Sequence, residues 1–276
     1  MNRTDIRQTL DEESIRLTKS LGQNLLHDQN VLRRIVKAAD IQPDDEVLEV
    51  GPGLGALTEF LLTKAKHLLA IEKDKRLVEH LRHRFDDIPN FKLLHQDALD
   101  HLKNQDTDWT HWKLVSNLPY SVASPLLVDL ALMPRGPRQL VVTLQHEVAQ
   151  RICAKPGTKE YGRLTLLVQY NYVPDSMFKI SPHCFFPEPR VDSACLSLRR
   201  CDKPILPNSL QGTYTALIKR AFSQRRKMMR KNLRGNWPDE QIDEAMNTVG
   251  LNEKIRAERV TLEQFARLTE LLYEST

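Results

Sequence analysis

The sequence predicts an α/β protein: a mostly parallel, doubly wound sheet with an antiparallel end, followed by a small all-helical domain. Two observations lead there. Five short apolar segments alternate with amphipathic helical ones over the first half of the chain, and from about residue 203 onward only helical periodicity remains. A Pro-rich stretch, "PHCFFPEPR", lies between the β-rich stretches "SMFKIS" and "VDSACLSLRR", which would add the antiparallel pair.

Taken in order, residues 1–20 read as a flexible N-terminal arm, 21–202 as the sheet domain and 203–276 as the helical domain. "NVLRRIVKAAD" has helical spacing. The parallel strands are "EVLEVG", "HLLAIE", "FKLLHQ", "WKLVSN" and "QLVVTLQ", with helices starting near Ala56, Lys75, Ala98, Val122 and Glu147. "CDKPILPNS" is a linker, and "LQGTYTALIKRAF", "RRKMMRKNL", "DEQIDEAMNTVG" and "LEQFARLTELLY" are the helices beyond it.

The 276 residues are 41% hydrophobic and 28% charged, as in ordinary water-soluble domains. The N-terminus has no apolar signal core, and no segment approaches the roughly 18 apolar residues of a membrane span. A cytoplasmic protein is expected. The four cysteines, Cys153, Cys184, Cys195 and Cys201, form no C-x-x-C pair, so free thiols and no metal are expected. The pair His80 and His83 reads as part of a solvated helix face.

Ligands of doubly wound sheets bind at the carboxyl ends of the strands. "VLEVGPGLGAL" runs from a strand through Gly51, Gly53 and Gly55 into a helix, and glycines let a backbone turn tightly against a ligand. The spacing is G-x-G-x-G, which is also that of a plain strand–helix turn. Glu72 ends the next strand 21 positions beyond Gly51, near the spacing of a ribose-binding acid. Asp97 either caps the following helix or accepts a hydrogen bond from an adenine amino group. At the fourth strand end, "SNLPYS" places Asn117, Leu118, Pro119 and Tyr120. An aromatic amine attacks a methyl group only if its nitrogen rehybridises toward a tetrahedral geometry. The Asn117 side-chain oxygen and the Leu118 backbone carbonyl are suited to accept its two N–H bonds, with Tyr120 stacked on the base. Phe185 or Phe186 either forms the opposite wall or packs in the core.

The net charge of +4 is uneven: nine Lys and Arg and no acid lie between Lys203 and Pro238, leaving −5 for the remainder. Arg226, Arg230 and Arg234 recur every fourth residue, with Arg225, Lys227 and Lys231 beside them. A continuous helix would turn these into a positive stripe for RNA phosphates.

These motifs together resemble the ribosomal RNA adenine dimethyltransferase family, most closely its bacterial small-subunit branch. The resemblance runs nearly end to end, through "KSLGQNLL", "VLEVGPGLGALT", "AIEKD", "QDALD", "SNLPYS", "QHEVAQRI", "KEYGRL", "FFPEPRVDSA" and "AFSQRRK". It implies a Rossmann-like methyltransferase domain that uses S-adenosyl-L-methionine and no metal. The implied reaction dimethylates N6 of two adjacent adenosines in a hairpin loop near the 3′ end of 16S rRNA within the assembling 30S subunit; a monomer is expected. By the same resemblance, Asn24, Leu26, Gly51, Glu72, Asp97 and Asn117 bind the cofactor, and Tyr120 and Phe185 stack on the target base. Leu25 departs from the family's usual phenylalanine, which would loosen the N-terminal flap, and His146 stands where lysine is common. Two other readings share the motifs: a large-subunit rRNA methylase of the antibiotic-resistance type, and a non-catalytic assembly factor that binds immature subunits.

Overall fold

The computed structural model describes residues 2–18, 22–104, 106–224 and 226–274. Two compact units emerge, Met1–Ala149 with Pro174–Arg200, and Gln150–Val173 with Cys201–Thr276.

The first unit opens with helix α1 (Arg3–Glu12) and the two-residue strand β1 (Leu25–Leu26). Strands and helices then alternate: α2 (Gln29–Ala39), β2 (Glu46–Val50), α3 (Ala56–Leu62), β3 (His67–Glu72), α4 (Lys75–Phe85), β4 (Phe91–His95), α5 (Ala98–Asn104), β5 (Trp112–Asn117), α6 (Tyr120–Leu132), β6 (Gln139–Gln145) and α7 (His146–Ile152). After α8 (Arg163–Val168) of the second unit come β7 (Tyr172–Ile180), β8 (Phe185–Phe186) and β9 (Ser193–Arg200). The large sheet has the order β4-β3-β2-β5-β6-β9-β7. The pairs from β4 to β6 are parallel and β6–β9 is antiparallel, as the alternation and the Pro-rich return predict. The chain winds outward from β2 to β4 and then restarts at β5, so β2 and β5 flank the switch point, where such sheets bind ligands.

Local chemistry sets the element boundaries. Asp28 caps α2 by accepting from the backbone N–H of Asn30 and Val31, and α2 buries Val31, Leu32, Ile35 and Ala39. Asp74 caps α4 through Arg76 N–H. Gly55 is the N-cap of α3, and its φ of 80° is the left-handed conformation glycine adopts without strain. α6 starts at Tyr120 and α7 at His146, slightly earlier than the periodicity predicts. Below the site, Lys113 on β5 and Asp45 form a buried ion pair at 2.8 Å, and the Lys113 ammonium also donates to the carbonyls of Ala39 and Asp40.

The N-terminal segment departs from the flexible arm that the sequence suggests. Asn2 and Asp5 form a capping box for α1, and Ile6, Leu10 and Ile15 pack with Leu25, Leu54 and Leu77. Apolar residues four apart on a short helix give it a face to bury. His80 departs from its expected place as well. It is buried on α4, and its Nδ1 lies 2.6 Å from Glu13 Oε1.

The second unit contains α8, α9 (Gln211–Ala221), α10 (Met229–Leu233), α11 (Asp239–Thr248) and α12 (Leu262–Glu274). Gln150–Val173 joins these helices, although sequence alone assigns it to the sheet domain. Its tyrosines explain why: Tyr170 packs on Tyr214 with ring centroids 4.9 Å apart, Tyr214 donates to Leu166 O and Tyr161 to Val260 O. The expected continuous helix over "RRKMMRKNL" is interrupted. The Asn232 amide donates to the carbonyls of Ala221 and Gln224, α9 ends at Ala221, and α10 occupies only Met229–Leu233.

Candidate active site

Four strand ends converge on one cavity of about 290 Å³. Gly51 and Gly53 follow β2 with φ of 68° and 63°. A Cβ on Gly51 would lie 3.0 Å from the Pro119 ring, and one on Gly53 would lie 2.7 Å from Leu25 Cδ2. Both walls therefore close to a distance only glycine allows. Glu72 ends β3, buried, with Oε1 accepting from the backbone N–H of Lys73 and Asp74 and Oε2 from Gly53 N at 3.4 Å. Asp97 takes the capping role, Oδ1 accepting from Leu99 N–H at the start of α5, and it also lines the cavity. Its Oδ2 also pairs with Lys73 Nζ at 2.7 Å, a bond that holds the carboxyl below its usual range against the opposing effect of burial.

Asn117 ends β5, with its side chain held at both ends. Nδ2 donates to Asn24 O at 2.8 Å, and Oδ1 accepts from Thr143 Oγ1. This fixes which way the amide points and leaves Oδ1 a second lone pair. Leu118 buries its side chain, Pro119 precedes the first turn of α6, and half-buried Tyr120 is tied through its hydroxyl to Ser193 Oγ. Burial raises the Tyr120 phenol above its ordinary range, so it stays neutral.

Asn24, Leu25 and Leu26 line the same cavity together with Ile6 of α1. Leu26 and Leu25 pair antiparallel with Phe185 and Phe186. Leu25 is buried against Ile6 and Leu54. Phe185 is fully buried among Leu26, Leu32 and Ile35 and offers no free face for a base; the half-buried ring is Phe186, with the guanidinium of Arg7 5.4 Å above it. The reason is the β1–β8 register, which lays the N-terminal strand over Phe185.

The positive stripe is also redistributed. Arg230 forms a pair of bonds to Asp243 at 2.5 and 2.6 Å, and Arg234 pairs with Asp239 at 2.9 Å. The compensating acids lie on α11, just beyond the acid-free window. Arg226 and Lys227 precede α10, Lys231 lies on it, and all three are exposed. Arg225 lies outside the described residues.

Sequence reasoning misses Lys73, Thr143, Ser193 and Glu49. Glu49 lies mid-strand in β2, 1% exposed on the cavity wall, and its Oε2 accepts from Thr58 Oγ1 at 2.7 Å. Burial pushes its carboxyl up to about 8, helped by neighbouring Glu72 and opposed by the Thr58 bond. The available signal was an acid inside the apolar run "VLEVG".

The cavity brings together a glycine turn, two buried acids, Glu49 and Glu72, and Asp97 at the β4 end. Among the described residues no group of His, Cys, Asp and Glu is placed to hold a metal, and no helix is long and apolar enough to cross a membrane.

The chain is similar to known proteins over nearly its whole length. Residues 15–274 match the family described as ribosomal RNA adenine dimethylase. The chain is 38% identical over 275 residues to the ribosomal RNA small subunit methyltransferase A of Clostridium acetobutylicum, covering 99% of this chain and 100% of that one. It is 38% identical over 281 residues to the protein of the same name from Anoxybacillus flavithermus, covering 98% and 95%. Among solved structures, the 23S rRNA methyltransferase ErmE superposes with a TM-score of 0.68 at 28% identity, covering 91% of this chain and 100% of that one. A dimethyladenosine transferase from Plasmodium falciparum superposes with a TM-score of 0.75 at 25% identity, covering 88% and 95%. The chain belongs to the ribosomal RNA adenine dimethylase family, and it is an rRNA adenine dimethyltransferase.

Proposed function

We propose that this enzyme dimethylates N6 of two adjacent adenosines in the hairpin loop near the 3′ end of 16S rRNA, using S-adenosyl-L-methionine, as a cytoplasmic step in small-subunit assembly. The observation that carries the reading is Asn117. Its side-chain oxygen is fixed at the switch point, on the wall of a cavity whose glycines and acids suit a charged nucleoside. The names of the small-subunit relatives at 38% identity favour 16S over large-subunit RNA.

When bound, the donor supplies an electrophilic methyl group on a positively charged sulfur. The protein's part is positioning and electrostatics. Asn117 Oδ1 and the Leu118 carbonyl accept the two N–H bonds of the target amine, which turns its lone pair out of the ring. An amide is no base at neutral pH, so the proton leaves to water. Tyr120, held by Ser193, supplies a stacking face beside them. Glu72 and Asp97 hold the nucleoside part of the donor. Arg226, Lys227 and Lys231 contact RNA phosphates.

Nucleoside mass spectrometry tests this, after incubation of the protein and S-adenosylmethionine with unmethylated small and large subunits. The reading expects N6,N6-dimethyladenosine in small-subunit RNA alone. Product confined to large-subunit RNA would establish the resistance-type activity, and donor binding without product in either would favour the assembly-factor role.

A further inference from the structure

Two acids share the cofactor cavity, and among the described residues neither has an ion-pair partner. Glu49 and Glu72 both line it, 1% and 6% exposed. Glu72 accepts three backbone N–H bonds, whereas Glu49 has a single hydroxyl donor, Thr58. Two buried carboxylates at one site do not both stay ionised without a cation, and the less supported one keeps its proton. Among the described residues, the surrounding elements do not supply that cation. Arg84 is taken by Glu59 on α3, Arg76 by Asp74, Lys73 by Asp97, and Lys113 by Asp45; Arg33, Arg34 and Lys37 lie on the exposed side of α2. Among the described residues, the charge that acts on Glu49 is that of Glu72, which raises it.

We propose that Glu49 selects the charged methyl donor: it releases its proton when the sulfonium cofactor binds, regains one when the neutral thioether is left, and so makes donor and product differ in affinity. The inference rests on S-adenosylmethionine being the donor. The protons balance. The target nitrogen loses one to solvent when it gains the methyl group, and Glu49 releases one on donor binding and recovers one before product leaves, so each transfer yields one net proton.

The sign of the pH dependence follows by linkage. In the free protein burial holds the Glu49 carboxyl at about 8, so it is protonated at neutral pH, and a bound cation lowers it. Donor affinity therefore rises with pH, by up to about tenfold per unit, and levels off near pH 8. The thioether product, one charge poorer, shows a shallower rise.

Isothermal titration of the full chain with S-adenosylmethionine and with S-adenosylhomocysteine, in buffers of different ionisation enthalpy between about pH 6 and 9, measures both quantities. Wild type should release close to one proton per donor bound at neutral pH, and fewer per product. Glu49→Gln should abolish that release and make the donor-to-product affinity ratio independent of pH. Thr58→Val, which keeps the acid but removes its hydrogen-bond donor, should move the plateau to higher pH. Unchanged proton release in Glu49→Gln, or an unmoved plateau in Thr58→Val, would overturn the proposal. Failure of folded wild type to bind either ligand would instead sink the choice of donor.

Discussion

Asn117 and Thr143 are register partners on adjacent parallel strands, and the Thr143 hydroxyl donates to the Asn117 side-chain oxygen. Thr143 is fully buried and cannot reach a substrate, so it acts by fixing the Asn117 amide. Replacing it with valine keeps the shape and removes the hydroxyl. The expected cost is about 1–2 kcal/mol, or roughly five- to thirtyfold in methyl transfer, with donor affinity little changed. Thr143→Ser should restore most of the rate. A valine variant with wild-type turnover would show that the amide needs no such support.

Gly53 and Gly250 separate close approach from backbone strain. Both have φ between 60° and 75°, but a Cβ on Gly53 meets Leu25 at 2.7 Å, whereas at Gly250 nothing lies within 4 Å. Gly250→Ala should cost about 1 kcal/mol of stability and leave donor binding intact. Gly53→Ala should cost about 1–3 kcal/mol and also weaken donor affinity by roughly tenfold or more. Thermal melts paired with titrations read both.

How much of this was legible beforehand depended on the range of the contacts involved. The strands from "EVLEVG" to "QLVVTLQ", the glycine turn and Glu72 could be read because period-2 and period-3.6 patterns and glycine turns are properties of neighbouring residues. Tyr120 and Asn117 were legible as strand-end residues, but their partners Ser193 and Thr143 are 73 and 26 positions away. The same limit hid the burial of His80, whose partner Glu13 lies on a segment that composition suggests is loose. The basic run "QRRKMMRKNLR" looked uncompensated because the window stopped just short of Asp239 and Asp243, and it looked like one helix because periodicity does not register the Asn232 amide that breaks it.

That redistribution makes the RNA contacts testable. Replacing Arg226, Lys227 and Lys231 with alanine should weaken binding to small-subunit RNA and make the logarithmic salt dependence shallower by roughly two to three, with little change in melting temperature. Arg230→Ala, which deprives Asp243 of its partner, should instead lower the melting temperature and move the salt slope less. Identical salt slopes in the triple variant and wild type would remove these side chains from the interface.

The Lys113–Asp45 pair predicts a stability effect remote from chemistry. Burial alone would raise the Asp45 carboxyl, but its bonds to Lys113, supported by Arg138, prevail and hold it below the usual range. A depressed folded-state value contributes stability above the unfolded value of about 4 and loses it as pH falls through the folded one. Asp45→Asn should cost about 3–5 kcal/mol, because it leaves the Lys113 ammonium buried with carbonyls alone, and should flatten the acid limb of the pH–stability curve. Donor affinity of the folded fraction should be unchanged.

The ladder of β1 with β8 joins two regions that the chemistry would otherwise treat separately. Leu26 belongs to the cavity wall and Phe185 to the buried core, yet they are register partners, and Phe185 is sealed by the strand that carries Leu26. Two residues per strand is a short seam, and helix α1 is fastened over it through Ile6 and the Arg3–Glu188 pair. Unzipping that seam would uncover the Phe185 ring and remove one wall of the cavity together. A clasp two residues long thus keeps a core ring and a cavity wall in place together.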